Sequence, residues 1–306
     1  MNHLQQLLHK RKFEDPVVIK TIEAIFKKKR GRVFRMPEPD TDVILLVSGG
    51  LDSILTWGFL MHEYHLRVHP LFLNKGERRF SQEERSLDYF SAYYATRYPL
   101  LFVSPVKQTI YLPQKEILSA LKTPFDNLLH YDKKTIRGFN PYTTTNIFLG
   151  SPGIVPMYAM LHARYLELSA NKKIRTIFSS IMFGDGIMCP SQTITSIRTI
   201  NLAMCTFTGE YSWQFTSPSV EPSLRLYYQK RDLILWGSRQ HIPMEKTWSC
   251  YRGLHQQCGR CLACDARKIE FKKARVPDLT QYSKAYDLAI RLKNRMGRLL
   301  RRTGMR

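Results

Sequence analysis

The sequence predicts an α/β protein: a parallel sheet with helices on both faces, followed by a four-cysteine metal knot and flanked by helical ends. Three observations carry that expectation. An apolar run at residues 43–47 leads directly into Ser48-Gly49-Gly50 and then into a helical pattern. Strand and helix patterns alternate from there to residue 103, giving two βαβ units, and such crossovers build parallel sheets. Four of the six cysteines crowd into residues 250–264.

The elements read as follows. Residues 4–12 and 17–29 are two short helices, and Pro37 and Pro39 force an extended linker over residues 36–41. Residues 43–47 are a fully apolar strand, as expected of one buried on both faces. Residues 54–64 are a helix apolar nearly all round, with His62-Glu63-Tyr64-His65 as its end; that tetrad is one residue short of a zinc-protease HExxH. Residues 68–73 are a second strand. Ser81-Gln82-Glu83-Glu84 reads as a capping box opening a helix with Leu87, Phe90 and Tyr94 on one face. Residues 100–103 are a third strand, and the pattern over 105–145 is weak. A helix at 155–168, a strand at 174–181 and a helix at 224–237 ended by Gly237 complete the core. Three sections result: a basic N-terminal extension and linker at 1–40, an α/β core at 41–245, and a metal-binding segment with a basic C-terminal helix at 246–306.

Composition excludes several classes. A chain of 306 residues, 43% hydrophobic and 12% aromatic, buries a real core rather than remaining disordered. No apolar run approaches the ~18 residues of a membrane-spanning helix, and residues 1–12 lack the apolar stretch of a secretory signal. The expected location is the cytoplasm, with no membrane contact. The net charge is +22, and 13 of those charges sit at the ends: residues 1–37 hold ten Lys/Arg against three acids, and residues 286–306 hold seven against one. Such ends are either solvated helices or an electrostatic grip on tRNA or an acidic protein.

Ser48-Gly49-Gly50-Leu51-Asp52-Ser53 lies between the first strand and the first core helix. Two glycines let backbone approach a phosphate, the loop N–H groups turn inward, and the helix N-terminus adds its dipole. Ser48 and Ser53 offer hydroxyls, and Asp52 is placed to help hold Mg2+ against a pyrophosphate. An ordinary strand-to-helix turn would use similar residues, but not at the head of a βαβαβ core. Neither GxxxxGK[ST] nor GxGxxG is present.

Cys250, Cys258, Cys261 and Cys264 follow C-x7-C-x2-C-x2-C. Four thiolates complete a tetrahedral Zn2+ shell and leave no position for water, so the site reads as structural. An iron–sulfur cluster is the competing occupant; zinc is favoured because no proline follows the last cysteine. Cys189 and Cys205 read as small buried side chains, with persulfide carriers as the alternative.

The hexapeptide resembles the signature of the PP-loop ATP pyrophosphatases, a superfamily of Rossmann-like fold. That resemblance implies cleavage of ATP between its α and β phosphates, with Ser48 and Asp52 as catalytic residues. Thr247-Trp248-Ser249-Cys250-Tyr251 and Cys258-Gly259-Arg260-Cys261-Leu262-Ala263-Cys264, with the trailing Arg267, resemble the zinc segment of the 7-cyano-7-deazaguanine synthase (QueC-like) family. In that family a lysine matching Lys230 touches ATP phosphates, and an aspartate matching Asp185 reads the guanine-like edge of the substrate. A solvated helix lysine and a plain Gly-Asp-Gly turn are the alternatives for these two. Gly76-Glu77-Arg78-Arg79 stands where the family has Gly-Gln-Arg-His, and Ser191, Gln192 and Thr193 stand where it has Asp-Cys-Arg. For its Pro-Gly-Arg-Asn, only residues 144–146 or 150–153 could substitute.

The implied reaction is ATP-dependent adenylation of a 7-deazaguanine carboxylate, then displacement of AMP by ammonia to give an amide and, after a second activation, a nitrile, in queuosine biosynthesis. One alternative is a QueC-like ligase of an antiphage defence system that transfers the activated deazaguanine to an amine on a protein or nucleic acid. Others are a tRNA-modifying PP-loop enzyme and a nucleic-acid-binding relative. A homodimer is among the expected assemblies.

Overall fold

The computed structural model describes residues 13–76, 79–110, 153–187 and 189–284. The helices expected at 4–12 and beyond 285, and nearly all of the segments considered at 144–146 and 150–153, lie outside these. Among the described residues, five parallel strands pair in the order β3-β2-β1-β4-β5: β1 Asp42–Val47, β2 Arg67–Asn74, β3 Val106–Thr109, β4 Thr176–Phe178 and β5 Gln214–Thr216. β1 runs beside β2 from Asp42↔Arg67 to Val47↔Phe72, and beside β4 at Ile44↔Ile177 and Leu45↔Phe178.

Alternation along β1 sorts the core. Val43, Leu45 and Val47 enter one apolar cluster with α2 (Leu51–Tyr64), α3 (Phe80–Arg97) and α6 (Lys230–Arg239). Ile44 enters the other, with α1 (Pro16–Arg30), α4 (Val155–Ala170) and α5 (Ile194–Thr208). The sheet is therefore covered on both faces, which is why β1 reads as a continuous apolar run. The chain leaves β1 toward β2 and β3 and returns to its other side at β4. That reversal opens a crevice at the carboxyl ends of β1 and β4, where open α/β sheets bind ligands. α7 (Leu262–Ala274) follows the cysteines and sends Phe271 into the first cluster.

Several expectations need correction. α2 starts at Leu51, inside the glycine motif, so the loop is also the helix N-terminus; it ends as expected, with His65 in the left-handed conformation at φ 51°. The expected capping box does not cap: the Ser81 hydroxyl donates to Gln82 Oε1 at 3.0 Å, and Glu83 pairs with Arg79 at 2.7 Å. The third strand lies at 106–109 rather than 100–103. Tyr98 O accepts from the amides of Leu101 and Phe102, which curls the chain and leaves Leu100 85% exposed, while Phe102 stacks on Trp57. Gly237 sits inside α6 and does not end it: a Cβ there would fall 2.7 Å from Leu55 Cδ2, so glycine serves close packing of α6 on α2. Positive φ at Arg225 and Tyr227 keeps the preceding residues out of the helix. α5, β5 and α7 have no counterpart among the expected elements.

The N-terminal section is part of the core layer. Asp15 caps α1 by accepting from Val17 N and Val18 N, and Ile19, Ile22 and Phe26 are buried on its inner face. Arg30 donates to Trp213 O at 2.5 Å and to Tyr211 O at 3.1 Å. Buried Arg198 of α5 makes two parallel bonds to Glu221, at 2.9 and 3.0 Å, and a third to Glu23 of α1 at 3.0 Å. Thr216 of β5 donates to the same Glu221. No described helix is long and apolar enough to cross a membrane.

Arg198→Ala should cost about 3–5 kcal/mol, because it strands the Glu221 carboxylate in the interior. Chemical unfolding of the variant, read by circular dichroism, checks this; a loss under 1 kcal/mol would mean that Glu221 finds water.

Candidate functional site

The loop after β1 is held by its own serines. Ser53 Oγ accepts from Ser48 N at 3.1 Å and donates to Gly50 O at 3.1 Å. Ser48 Oγ lies 3.2 Å from Ser53 Oγ and accepts from Gly50 N at 3.3 Å. Gly49 is left-handed at φ +70°, and a Cβ on it would come 2.1 Å from Glu83 O. Its carbonyl accepts from Ser86 Oγ of α3 at 2.7 Å and from Trp248 N at 3.1 Å. The loop is thus pinned from behind by α3 and by the segment that carries Cys250. The first-turn amides of α2 lie at the crevice end, where their partial positive charge favours an anion.

Lys230 opens α6, where Gln229 and Asp232 form a capping box, and its ammonium lies 2.8 Å from Asp52 Oδ2. Asp52 Oδ1 is buried and has no hydrogen-bond partner among the described residues. Asp185 begins a short turn and accepts from Met182 N at 2.9 Å. Burial pushes its carboxyl up to about 6; Lys230 pulls it back, and Asp52 pushes it further up. Burial works against charge on Lys230, yet the neighbouring Asp52 and Asp185 outweigh it and hold the ammonium above its ordinary value. Three charged groups from three elements therefore meet beside the serine-glycine loop, and the expected residues Ser48, Gly49, Gly50, Leu51, Asp52, Ser53, Lys230 and Asp185 come together.

The four cysteines expected as metal ligands are also brought together. The sulfurs of Cys250, Cys258, Cys261 and Cys264 all lie within 4.8 Å of one another, and all four residues are buried. Backbone amides of Arg252 and Cys258 donate to Cys250 Sγ at 3.4 Å, and those of Arg260 and Cys261 to Cys258 Sγ at 3.4 and 3.3 Å. Such N–H···S bonds favour thiolates, so the donor set suits a soft or borderline metal ion. Gly259 at φ +69° makes the turn between two of the cysteines.

Arg267 ties this knot to the loop. It is buried, and donates to Thr247 Oγ1 at 2.8 Å, to Ser249 Oγ at 3.1 Å and to Met244 O at 2.8 Å. Gln257 accepts from Ser249 N and donates to Thr247 O. These two side chains hold residues 247–250 straight, which presents Trp248 N to Gly49. Tyr251 lies under the Arg79 guanidinium at 4.8 Å, so the turn after β2 also reaches the knot. Ser86 and Gln257 have no motif in the sequence; only the four-residue spacing of Ser86 from Gln82 and Phe90 marks it as inward-facing.

The residues that depart from the family pattern have local roles. Ser191 Oγ lies 3.0 Å from Cys189 Sγ, and Thr193 Oγ1 caps α5 by accepting from Ser196 N. Cys205 lies in the far layer, its thiol pushed up to about 11 by burial, which leaves it a poor nucleophile.

A family model described as "Queuosine biosynthesis protein QueC" matches residues 163–275, the stretch holding Asp185, Lys230 and all four clustered cysteines. Over that stretch the chain is similar to QueC. The 7-cyano-7-deazaguanine synthase of Pseudoalteromonas atlantica is 25% identical to this QueC-like chain over 243 residues, 78% of the chain and 98% of that protein. The 7-cyano-7-deazaguanine synthase of Rhizobium meliloti is 45% identical over 53 residues, and there the chain spans 22% of the relative's length. Among solved structures, a U34-tRNA thiolase from Methanococcus maripaludis with its [4Fe-4S] cluster has a TM-score of 0.32 and 14% identity, over 84% of this chain and 73% of that one. That likeness is too slight to bear on the site.

Gly49→Ala and Gly31→Ala separate backbone strain from collision. Both positions have positive φ, but nothing lies within 4 Å of a Cβ on Gly31. Gly31→Ala should cost about 1 kcal/mol, and Gly49→Ala clearly more, since Glu83 O must move. Thermal unfolding of the two variants side by side reads the difference.

Proposed function

We propose that this QueC-like chain activates a 7-deazaguanine carboxylate with ATP, releasing pyrophosphate and then AMP. The observation that carries this reading is the serine-glycine loop at the N-terminus of α2, with the Lys230 ammonium held beside it by Asp52. In the first step a carboxylate oxygen attacks the α-phosphorus, and the bond from that phosphorus to the bridging oxygen breaks. The acyl-adenylate remains while pyrophosphate leaves into the loop amides, whose fixed dipoles need no reorganisation to receive it. Ammonia then attacks the acyl carbon, the bond to AMP breaks, and the amide forms. A second activation, at the amide oxygen, followed by loss of AMP and a proton, gives the nitrile.

The roles divide by position. Ser48 and Ser53 hold the loop shape, and Ser48 keeps a hydroxyl at its mouth. Lys230 offsets negative charge on the phosphates. Asp52, with its unpartnered Oδ1, is the residue that would hold Mg2+, an ion that screens pyrophosphate when bound. Asp185 accepts N–H groups of the guanine-like edge in its ionised form. In the knot the four cysteines would hold Zn2+, whose closed thiolate shell serves the fold rather than the reaction.

The test is to incubate the protein with ATP, Mg2+, ammonium and the deazaguanine carboxylate and to read products by mass. Amide or nitrile with AMP supports the reading; no AMP overturns it. Asp52→Ala and Ser48→Ala should each lower AMP release by about a hundredfold or more. Because the Asp185 carboxyl is charged only above about 6, kcat/KM should fall as pH drops through that value, approaching tenfold per unit. Asp185→Asn should lower the rate and remove that acid limb. Elemental analysis should find about one zinc per chain; iron with visible absorption after anaerobic purification would reassign the knot.

A further inference from the structure

A second cleft, of about 510 Å3, lies between α3 and the knot segment, lined by residues of 82–89, 245–248, 255–257 and 279–281. Trp248 is in its wall, and the same residue's amide binds Gly49 O, so the segment that lines the cleft also holds the serine-glycine loop. The mechanism above uses nothing that is exposed in this cleft.

The chemistry of its lining is specific. Arg85, Lys246 and His255 are exposed there and make no ion pair with any described residue. The acids of α3 that could neutralise them are engaged elsewhere: Glu84 and Asp88 both pair with Lys107, at 3.1 and 2.6 Å. Glu245 is the single carboxylate in the lining, against two permanent cations and an imidazole. Tyr89 is 42% exposed, with Lys246 Nζ 5.7 Å from its ring centroid. Gln256 and Gln281, both exposed, also line it.

We propose that this cleft binds a single-stranded nucleic acid, with Arg85 and Lys246 on phosphodiesters and a base stacked on Tyr89. An acidic peptide would need the cations alone. An exposed aromatic face beside cations, with free amides in reach of base edges, is the composition that single-strand binders use. The net charge of +22 favours approach of any polyanion; the cleft supplies a place where one strand finds both charge and a stacking surface.

The experiment is fluorescence anisotropy of a labelled 12-nucleotide single-stranded RNA with the full, metal-loaded chain at several salt concentrations. Three variants are compared: Arg85→Ala/Lys246→Ala, Tyr89→Ala, and Lys27→Ala/Lys28→Ala on α1 as an equal-charge control away from the cleft. Each neutralised phosphate on a single strand contributes a slope of roughly 0.7 in log affinity against log salt. The cleft pair should therefore bind about tenfold more weakly with a slope reduced by roughly 1.4. Tyr89→Ala should lose about fivefold to a hundredfold with the slope unchanged. The α1 control should stay within about twofold of the parent. Metal content and unfolding midpoint, measured on every variant, certify that each is folded. If the cleft pair behaves like the α1 control, the proposal fails. It also fails if a labelled decamer of aspartate binds more tightly than the RNA and loses that binding in the cleft pair, which would make the cleft a peptide site. AMP release is measured separately, so either failure leaves the adenylation reading untouched.

Discussion

The carbonyl of Gly49 is the point on which the site depends. It accepts two hydrogen bonds, from the Ser86 hydroxyl and the Trp248 amide. That is both lone pairs of one oxygen, supplied by two elements distant in sequence. With this carbonyl turned inward and held, Gly49 keeps its left-handed conformation and the loop amides remain directed at the crevice. Only glycine fits, because Glu83 O occupies the place of a side chain. Neither partner would be in position without its own support. Ser86 is fixed by burial of Leu87 and Phe90 on α3, and Trp248 by the straps from Arg267 and Gln257.

Electrostatics completes the arrangement. Two carboxylates, Asp52 and Asp185, share one ammonium in a largely desolvated setting. Burial raises the Asp185 carboxyl, Lys230 opposes that rise and Asp52 adds to it, which leaves the group a tendency to hold a proton. A cation arriving with a phosphate ligand would relieve it, and would meet the unpartnered Asp52 Oδ1. Lys230 would then be released toward the phosphate oxygens. The buried Arg198–Glu221–Glu23 cluster is the contrasting case. Its charges are mutually satisfied by several short bonds, and it serves to lock α1 and α5 to the sheet.

What was legible in the sequence is what local pattern determines. The apolar run of β1 required burial on both faces, and the glycine pair following it required a tight backbone turn into the next helix. The cysteine spacing required four sulfurs close together. Reasoning failed where tertiary contacts overrode local signals. Gly237 looks like a stop, yet its lack of a side chain answers to Leu55 of another helix. Ser81 to Glu84 satisfies the capping pattern, but Glu83 is drawn to Arg79 and its backbone carbonyl is needed behind Gly49. The basic residues of α1 suggested a detachable extension, whereas its spaced apolar residues, Ile19, Ile22 and Phe26, are the ones that decide its place. Lys230 and Asp185 rested on resemblance, and the structure places Lys230 against Asp52 beside the serine-glycine loop.

The four-cysteine knot acquires a role in this light that its closed shell would not suggest. A metal held by four buried thiolates supplies folding free energy to a segment with little apolar core of its own. That energy would fix residues 247–250, and one amide of that segment holds the serine-glycine loop. The Arg267 guanidinium, buried among Thr247, Ser249 and Met244, is stable there only while the segment remains folded around it. Loss of the metal would free the segment, take Thr247 and Ser249 from Arg267 while Met244 O and Asp278 remain to it, and remove one of the two bonds to Gly49 O. A metal bound there would therefore act on the shape of the serine-glycine loop from a distance, through its thiolate ligands, the backbone of residues 248–250 and the hydrogen bond from Trp248 N to Gly49 O.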